Sequence, residues 1–259
     1  MHRDDWKSVF LNQDKILKVL KPLENVMFLA GGTGLQRFVL KEAYRHSEDL
    51  DFFFEKVKLE YERWIKDEKA WRLFFSFKDN DEIIKLELLN FTCKRIKDLS
   101  FINQNIFKTE NLYNLLLYKI KALCDRPDTI KDLFDIYFIL REFGNIQIDT
   151  LIKDVNLKFK EAIGINYSKE NLINSLNQNL KWDIEIGDNI KYIYGLKQEI
   201  DLFQEELKKA FIQSKNIDFS YKTRFTNKSL DFGLNIGEYI NLIEDNQFLV
   251  EEWNKYFDI

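Results

Sequence analysis

A pair of aspartates, Asp49 and Asp51, is the feature of this sequence best suited to chemistry. They open an apolar segment that predicts a strand over 49–54. Side chains two residues apart in a strand share one face, so the two carboxylates lie side by side, while Leu50 and Phe52 point to the other face. Neighbouring carboxylates raise each other's pKa unless a cation lies between them. Mg²⁺ suits this role, since it takes hard oxygen ligands and often joins carboxylates to substrate phosphates.

The segment Gly31-Gly32-Thr33 precedes the aspartates and has the composition of a phosphate-binding turn. It ends a predicted strand over 26–31 and leads into a predicted helix over 33–44. Glycines let backbone amides approach an anion closely, and a helix directs its N-terminus toward that anion. A glycine pair alone is a turn, and an Asp-x-Asp pair alone is a solvated strand face. Their order between apolar strands favours a nucleotide site.

The order of these motifs resembles the AbiEii/AbiGii toxin family, which belongs to the polymerase-beta-type nucleotidyltransferase superfamily. The resemblance rests on Gly-Gly-Thr, a short helix, Arg45-x-Ser47 and then Asp-Leu-Asp-Phe-Phe. Thr33 stands where the superfamily usually has serine and keeps the hydroxyl. The resemblance implies that the glycine pair and Thr33 hold a triphosphate and that the aspartates bind metal. It also implies that Arg45 contacts a phosphate and that Ser47 orders the turn.

A third carboxylate is expected on a neighbouring strand, because a two-metal nucleotidyl-transfer site usually needs one to activate the attacking hydroxyl. Glu87 is the candidate, in a predicted apolar strand over 82–89 where its charge requires a partner. Members of the resembled family carry an acidic residue, often aspartate, in a similar strand. The alternative is that Glu87 only pairs with Lys85 on the same strand face.

A second block, from Tyr118 onward, resembles the family's Lys-x-x-Ala-Leu … Arg … Arg-Asp-x-x-Asp segment. By that match Lys119 and Arg126 take the two basic positions, and Asp132 and Asp135 take the acidic ones. Asp132 is expected to orient Lys119 or a neighbouring group. The structural alternative for Asp132 is a capping box at a helix start, and for Asp135 the structural interpretation is preferred.

Helical spacing explains how this block could meet a nucleotide. Lys119, Ala122 and Arg126 fall at i, i+3 and i+7, which places them on one helix face. Two cations on that face suit the heavy negative charge of a triphosphate. Lys121 points away from this face and is expected to be solvated.

Length and composition predict an α/β part followed by a helical part. The chain has 259 residues, of which 45% are hydrophobic, and only two prolines and nine glycines interrupt it. We expect a minimal nucleotidyltransferase domain over 1–108, with a small mixed sheet flanked by helices, and a helical domain over 109–259. The other predicted elements are helices over 5–20, 58–69, 149–162, 169–178, 196–213, 235–244 and 246–257, two helices from residue 110 to 140, strands over 71–77 and 82–89, and a polar loop over 214–234.

Charge, cysteine content and hydropathy narrow the functional class. The net charge of −4 gives no overall attraction to nucleic acid, so any RNA contact must come from a local basic patch. Two cysteines without metal-ligand spacing and two histidines do not make a zinc site. No run of about 18 uncharged apolar residues is present, and the N-terminus lacks the apolar core of a signal peptide. We therefore expect a cytoplasmic protein without membrane contact.

The residues and the resemblance together predict Mg²⁺-dependent transfer of a nucleoside monophosphate from an NTP to an acceptor hydroxyl. The resemblance implies a toxin of a toxin–antitoxin or abortive-infection system, with RNA or tRNA as the leading acceptor and an antitoxin as partner. Two alternatives stay open at this point: a protein hydroxyl as acceptor, and a catalytically degenerate relative that binds a nucleotide or a partner. A structural protein with an accidental motif would bind no nucleotide.

Overall fold

The computed structural model describes residues 6–40, 45–54, 70–77, 80–89, 94–96, 101–103, 106–127, 129–143, 146–164, 166–178 and 194–217. The helices predicted over 58–69, 235–244 and 246–257, and the loop predicted over 214–234 from residue 218 onward, lie outside these residues. In the described part of the chain, no helix is both long and apolar enough to span a membrane.

Six strands form one mixed sheet in the order β3-β4-β2-β1-β6-β5. Their bounds are Met27–Leu29 (β1), Leu50–Phe54 (β2), Ala70–Phe77 (β3), Asn80–Leu89 (β4), Ile102–Asn103 (β5) and Lys108–Thr109 (β6). β2 is antiparallel to β1 and parallel to β4, β3 is antiparallel to β4, β6 is parallel to β1, and β5 is antiparallel to β6. The four longer strands were predicted. The two-residue strands β5 and β6 were not, because so short a segment carries no alternation.

The helices follow the predicted order, with bounds Trp6–Leu20 (α1), Gly31–Thr33 (α2), Leu112–Asp125 (α3), Ile130–Phe143 (α4), Ile148–Ile163 (α5), Lys169–Gln178 (α6) and Tyr194–Gln213 (α7). α2 is a single turn that continues as a π-helix over Gly34–Val39, so the helix expected over 33–44 is short and irregular. Asn111 caps α3 by accepting from the Asn114 amide. Ile146–Gln147 (β7) and Asn216–Ile217 (β8) form a small separate sheet, where residues 216–217 were predicted as loop.

The core lies on both faces of the main sheet. Leu50 and Phe52 pack on one face with α1, whereas Phe53 packs on the other face with the helices from α3 onward. This alternation follows from the two-residue period of a strand. It also puts Asp51 on the same face as Phe53, toward α3. The predicted α/β fold, a small mixed sheet flanked and followed by helices, is confirmed. The domain boundary at 108/109 stays a prediction.

Candidate active site

A cavity of about 730 Å³ lies between the α3-facing side of the sheet and the helices α3 and α4. This volume is in the range of small-molecule sites. It is lined by Gly31, Gly32, Arg45, Ser47, Asp49, Asp51, Phe53, Arg72, Lys85, Glu87, Leu89, Tyr118, Lys119, Lys121, Ala122, Asp125, Arg126 and Lys131. Among these described residues, seven are Lys or Arg and four are Asp or Glu, so positive charge is in excess. The cavity therefore suits a ligand with several negative charges.

Two parallel strands supply the acidic wall. β2 contributes Asp51 and β4 contributes Glu87, which are direct partners in the parallel register. Asp49 comes just before β2, and both aspartates line the cavity as the spacing predicted. Burial, followed by the Asp49 and Glu87 carboxylates, raises the pKa of Asp51 from 3.8 to about 6. Burial disfavours the charged form, and repulsion between carboxylates that share a site adds to this effect.

Two basic side chains pair with the acidic wall. Lys85 Nζ lies 2.8 Å from Asp49 Oδ2 and 3.3 Å from Glu87 Oε1, and Arg72 Nε lies 2.9 Å from Glu87 Oε1. Burial opposes ionisation of Glu87, but Arg72 and Lys85 together lower its pKa. The pairing of Lys85 with Glu87, the alternative raised from the sequence, is thus present. Glu87 nevertheless lines the cavity beside Asp51.

The acidic wall has the donor chemistry of a Mg²⁺ site, since three carboxylates line it and one of them carries a raised pKa. Within the described part of the chain, however, no three acidic, histidine or cysteine side chains converge on one point as metal ligands would. Lys85 contacts both Asp49 and Glu87 and lies between these two carboxylates. The residues present fit the ion in type, with Lys85 in the space between two of them.

Gly31 forms the floor of the cavity against Asp51. It has a φ of +62°, and a Cβ placed on it would lie 1.8 Å from Asp51 Oδ2. Only glycine adopts this conformation without strain and leaves room for the carboxylate. Gly32 is equally confined, since a Cβ there would lie 2.5 Å from Ser47 Oγ and 2.9 Å from Arg45 Nη2. The glycine pair lets the turn approach Asp51 on one side and Ser47 and Arg45 on the other.

Thr33 lies behind the cavity. Its side chain is fully buried, and its hydroxyl donates to the Ser47 carbonyl at 3.3 Å and to the Asp49 carbonyl. Gln13 of α1 supports the same segment by donating to the carbonyls of Ser47 and Glu48 at 2.8 and 2.9 Å. The threonine hydroxyl expected at a phosphate thus holds the chain segment that leads into the aspartates.

Arg45 and Lys119 are buried cations that share the carboxylate of Asp135. Arg45 Nη2 lies 2.8 Å and Lys119 Nζ 2.6 Å from Asp135 Oδ2, and Gln36 donates to Oδ1 at 3.0 Å. Burial opposes ionisation of Asp135, yet Arg45 and Lys119 hold its pKa far below the usual range. Asp135 does not line the cavity. It contacts two cations that do line the cavity, and the structural interpretation preferred from the sequence stays a prediction.

Asp132 contacts Lys119, as expected. Its Oδ1 lies 3.0 Å from Lys119 Nζ, and its Oδ2 lies 3.2 Å from Arg126 Nη2. The carboxylate is fully buried behind these cations, which line the cavity while Asp132 does not. Although burial opposes the charged form of Lys119, Asp135 and Asp132 raise its pKa. Asp132 therefore contacts two members of the cationic wall, the Lys and Arg side chains that α3, α4 and residue 45 present to the cavity (Arg45, Lys119, Lys121, Arg126 and Lys131).

Helix α3 presents Lys119, Ala122 and Arg126 to the cavity, as the i, i+3, i+7 spacing predicted. Lys121 was expected on the solvated side, which is wrong: it also lines the cavity and pairs with Asp125 one turn later. The cavity contacts more than one face of α3, so Lys121 also lies at its edge.

Several lining residues were not singled out from the sequence. Phe53, Leu89 and Tyr118 form an apolar part of the wall, where the rings of Phe53 and Tyr118 lie 4.5 Å apart. A signal was available for each, because Phe53 and Leu89 lie two residues after Asp51 and Glu87 on the same strand faces. Tyr118 lies one turn before Ala122 on α3.

One family model matches the segment that contains the glycine turn and the carboxylates of the acidic wall. Residues 15–97 match the family model "Nucleotidyl transferase AbiEii toxin, Type IV TA system". The resemblance stated from the sequence is confirmed for this AbiEii-matching segment, which contains the glycine pair and the three carboxylates. The basic residues of α3 and α4 lie beyond it.

Two solved structures are similar over most of the chain. The crystal structure of JHP933 from Helicobacter pylori is 19% identical, with a TM-score of 0.48, and the match covers 80% of this chain and 94% of that one. The crystal structure of a candidate nucleotidyltransferase from H. pylori is 21% identical, with a TM-score of 0.44, and the match covers 78% and 96%. No curated protein matches the chain.

Proposed function

We propose that this protein is a Mg²⁺-dependent nucleotidyltransferase that moves a nucleoside monophosphate from an NTP to an acceptor hydroxyl. The observation that carries the proposal is a single cavity in which three carboxylates face a group of cations. The carboxylates of Asp49, Asp51 and Glu87 line the sheet side, where Lys85 and Arg72 pair with two of them, and cations of α3, α4 and the segment before β2 line the other side. A metal-bound triphosphate has the matching pattern, a cation beside a chain of anions. The match of residues 15–97 to the AbiEii family supports the same activity.

Each wall then has a distinct task. Asp49 and Asp51 would hold the metal, with Glu87 as the third carboxylate. A bound Mg²⁺ would neutralise phosphate charge and lower the pKa of the attacking hydroxyl. Lys119 and Arg126 bind the phosphate oxygens, and their positioning and charge supply most of the rate.

The reaction balances without any further reactant. The acceptor oxygen forms a bond to the α-phosphorus, the bond from that phosphorus to the bridging oxygen breaks, and pyrophosphate leaves. The proton of the acceptor hydroxyl passes to solvent. The backbone of Gly31 and Gly32 would contact the triphosphate. Arg45 and Ser47 lie close to Gly32, so they would contact the same phosphate group.

The family match of residues 15–97 supports a toxin role and names no acceptor. We propose RNA, with tRNA first, as the acceptor, and toxin activity restrained by a cognate antitoxin. A second candidate is a relative that binds nucleotide without transfer. The position of Lys85 between Asp49 and Glu87 favours this second candidate, because its ammonium occupies the space that a metal bound to both carboxylates would need.

The test uses each of the four α-labelled NTPs with Mg²⁺, total RNA and cell lysate. The Asp49→Asn/Asp51→Asn variant removes the metal ligands. Asp149→Asn is the matched control, since Asp149 is a surface aspartate of α5 outside the cavity. We expect label in RNA with the wild-type chain and with Asp149→Asn, and none with the double variant.

Other outcomes have distinct meanings. Label in protein would keep the activity and change the acceptor. NTP binding without any label or pyrophosphate release would favour the binding-only candidate. Label that persists in the double variant would refute the assignment of the two aspartates.

A further inference from the structure

Lys85 occupies a cation position inside the acidic wall. It lies two residues before Glu87 on β4, so both side chains share the cavity-facing side of the strand. The parallel register begins with Leu50 paired to Leu86, and one further residue in the same direction brings Asp49 beside Lys85. The ammonium consequently contacts a carboxylate on each strand, at 2.8 and 3.3 Å. A metal that used both carboxylates would need the same space.

The surroundings of Lys85 allow it to leave this position. Its side chain is 31% exposed, so it has a path to solvent, and its four-carbon stem is flexible. Glu87 would keep its ion pair with Arg72 at 2.9 Å after the lysine moved. By contrast, Lys119 is buried and fixed by two aspartates of α4. Of these two cavity lysines, Lys85 is the one that can give up its ion pairs to a metal ion.

We propose that Lys85 is a built-in competitor of the divalent cation: its ammonium holds Asp49 and Glu87 together and leaves when the metal binds. This inference rests on the proposed function, since it concerns the same metal site. It predicts weak metal binding by the nucleotide-free protein, because each metal ion must first displace a cation that contacts both carboxylates. The lysine keeps the acidic wall compact in the meantime, since it offsets repulsion between the carboxylates.

The experiment measures Mn²⁺ binding to the full chain without nucleotide, by the electron paramagnetic resonance signal of free Mn²⁺. Lys85→Met removes the charge and keeps the length of the side chain, and Lys85→Arg retains the charge. Lys121→Met is the matched control, because Lys121 lines the same cavity but pairs with Asp125. We expect Lys85→Met to bind Mn²⁺ about tenfold more tightly than wild type, and Lys121→Met to change affinity by less than about threefold.

A second readout guards against misfolding of the variant. Mn²⁺ should raise the unfolding temperature more in Lys85→Met than in wild type, because tighter binding stabilises the folded state more. Lys85→Gln, a polar substitution that also removes the charge, should show the same larger rise. Lys85→Arg should resemble wild type in both measurements.

The outcomes separate this inference from the proposed function. Equal or weaker Mn²⁺ binding by Lys85→Met, with binding still abolished by Asp49→Asn/Asp51→Asn, would overturn the competitor role and leave the metal site standing. If wild type and Lys85→Met bind no more Mn²⁺ than the double aspartate variant, both the inference and the metal-dependent function are overturned.

Discussion

Gly31→Ala should damage the site through a contact that the structure defines in detail. The new methyl group would lie 1.8 Å from Asp51 Oδ2 and 2.7 Å from Asp51 Cβ, well inside van der Waals contact. The φ of +62° adds a backbone cost of about 1–2 kcal/mol for any residue with a side chain. Overpacking a confined position adds about 1–3 kcal/mol, so the loss in the free energy of unfolding should total about 2–5 kcal/mol.

Gly164→Ala is the matched control for this substitution. Gly164 ends α5 with a φ of +68°, and a Cβ there would meet nothing within 4 Å. It should lose only the backbone contribution of about 1–2 kcal/mol. Urea unfolding followed by circular dichroism gives both losses, and Mn²⁺ titration shows whether Asp51 has moved. Equal losses for the two substitutions, with metal binding intact in Gly31→Ala, would refute the proposed contact between Gly31 and Asp51.

Three further substitutions test the supporting structure. Asp51→Asn should stabilise the metal-free protein by about 1–3 kcal/mol at pH 8 and have little effect on stability below pH 4. The reason is that a carboxylate whose pKa rises from 3.8 to about 6 on folding opposes folding only when it is ionised. In thermal unfolding at pH 8 with excess Mg²⁺, the same substitution should instead destabilise the protein. Thr33→Val should cost about 1–3 kcal/mol in urea unfolding, since the buried carbonyls of Ser47 and Asp49 lose a donor, and Thr33→Ser should retain most of that stability. Asp135→Asn should lower the free energy of unfolding by about 3–5 kcal/mol, because the buried cations Arg45 and Lys119 lose a negatively charged partner. The same change at the exposed Asp125 should lower it by less than about 1 kcal/mol. Similar losses at both positions would contradict the buried network around Asp135.

The acidic wall could be predicted because strand geometry has a fixed period. Once Asp49 and Asp51 were placed on one strand, the common direction of their side chains followed. Helical spacing predicted in the same way that Lys119 and Arg126 face the cavity. These inferences needed only neighbours within one element, and the structure agrees with them.

Contacts between elements could not be predicted in this way. The pairing of Asp51 with Glu87 depends on the parallel register of β2 and β4, and the chain between these two strands includes β3. The acceptors of the Thr33 hydroxyl are the carbonyls of Ser47 and Asp49, and this pairing depends on how the segment before β2 folds back against the glycine turn. Likewise, the strand alternation indicated that Lys85 could reach Glu87, but only the register shows that it also reaches Asp49.

The cationic wall depends on a side chain that never reaches the cavity. Asp135 accepts from Gln36 of the π-helix, Arg45 before β2 and Lys119 of α3, so one carboxylate of α4 fixes groups from three parts of the chain. Arg45 and Lys119 would repel each other in the protein interior without it. The AbiEii-matching segment ends at residue 97, before α3 and α4. A boundary at 108/109 would therefore separate the carboxylates from most of the cations, and the complete site belongs to both parts of the chain.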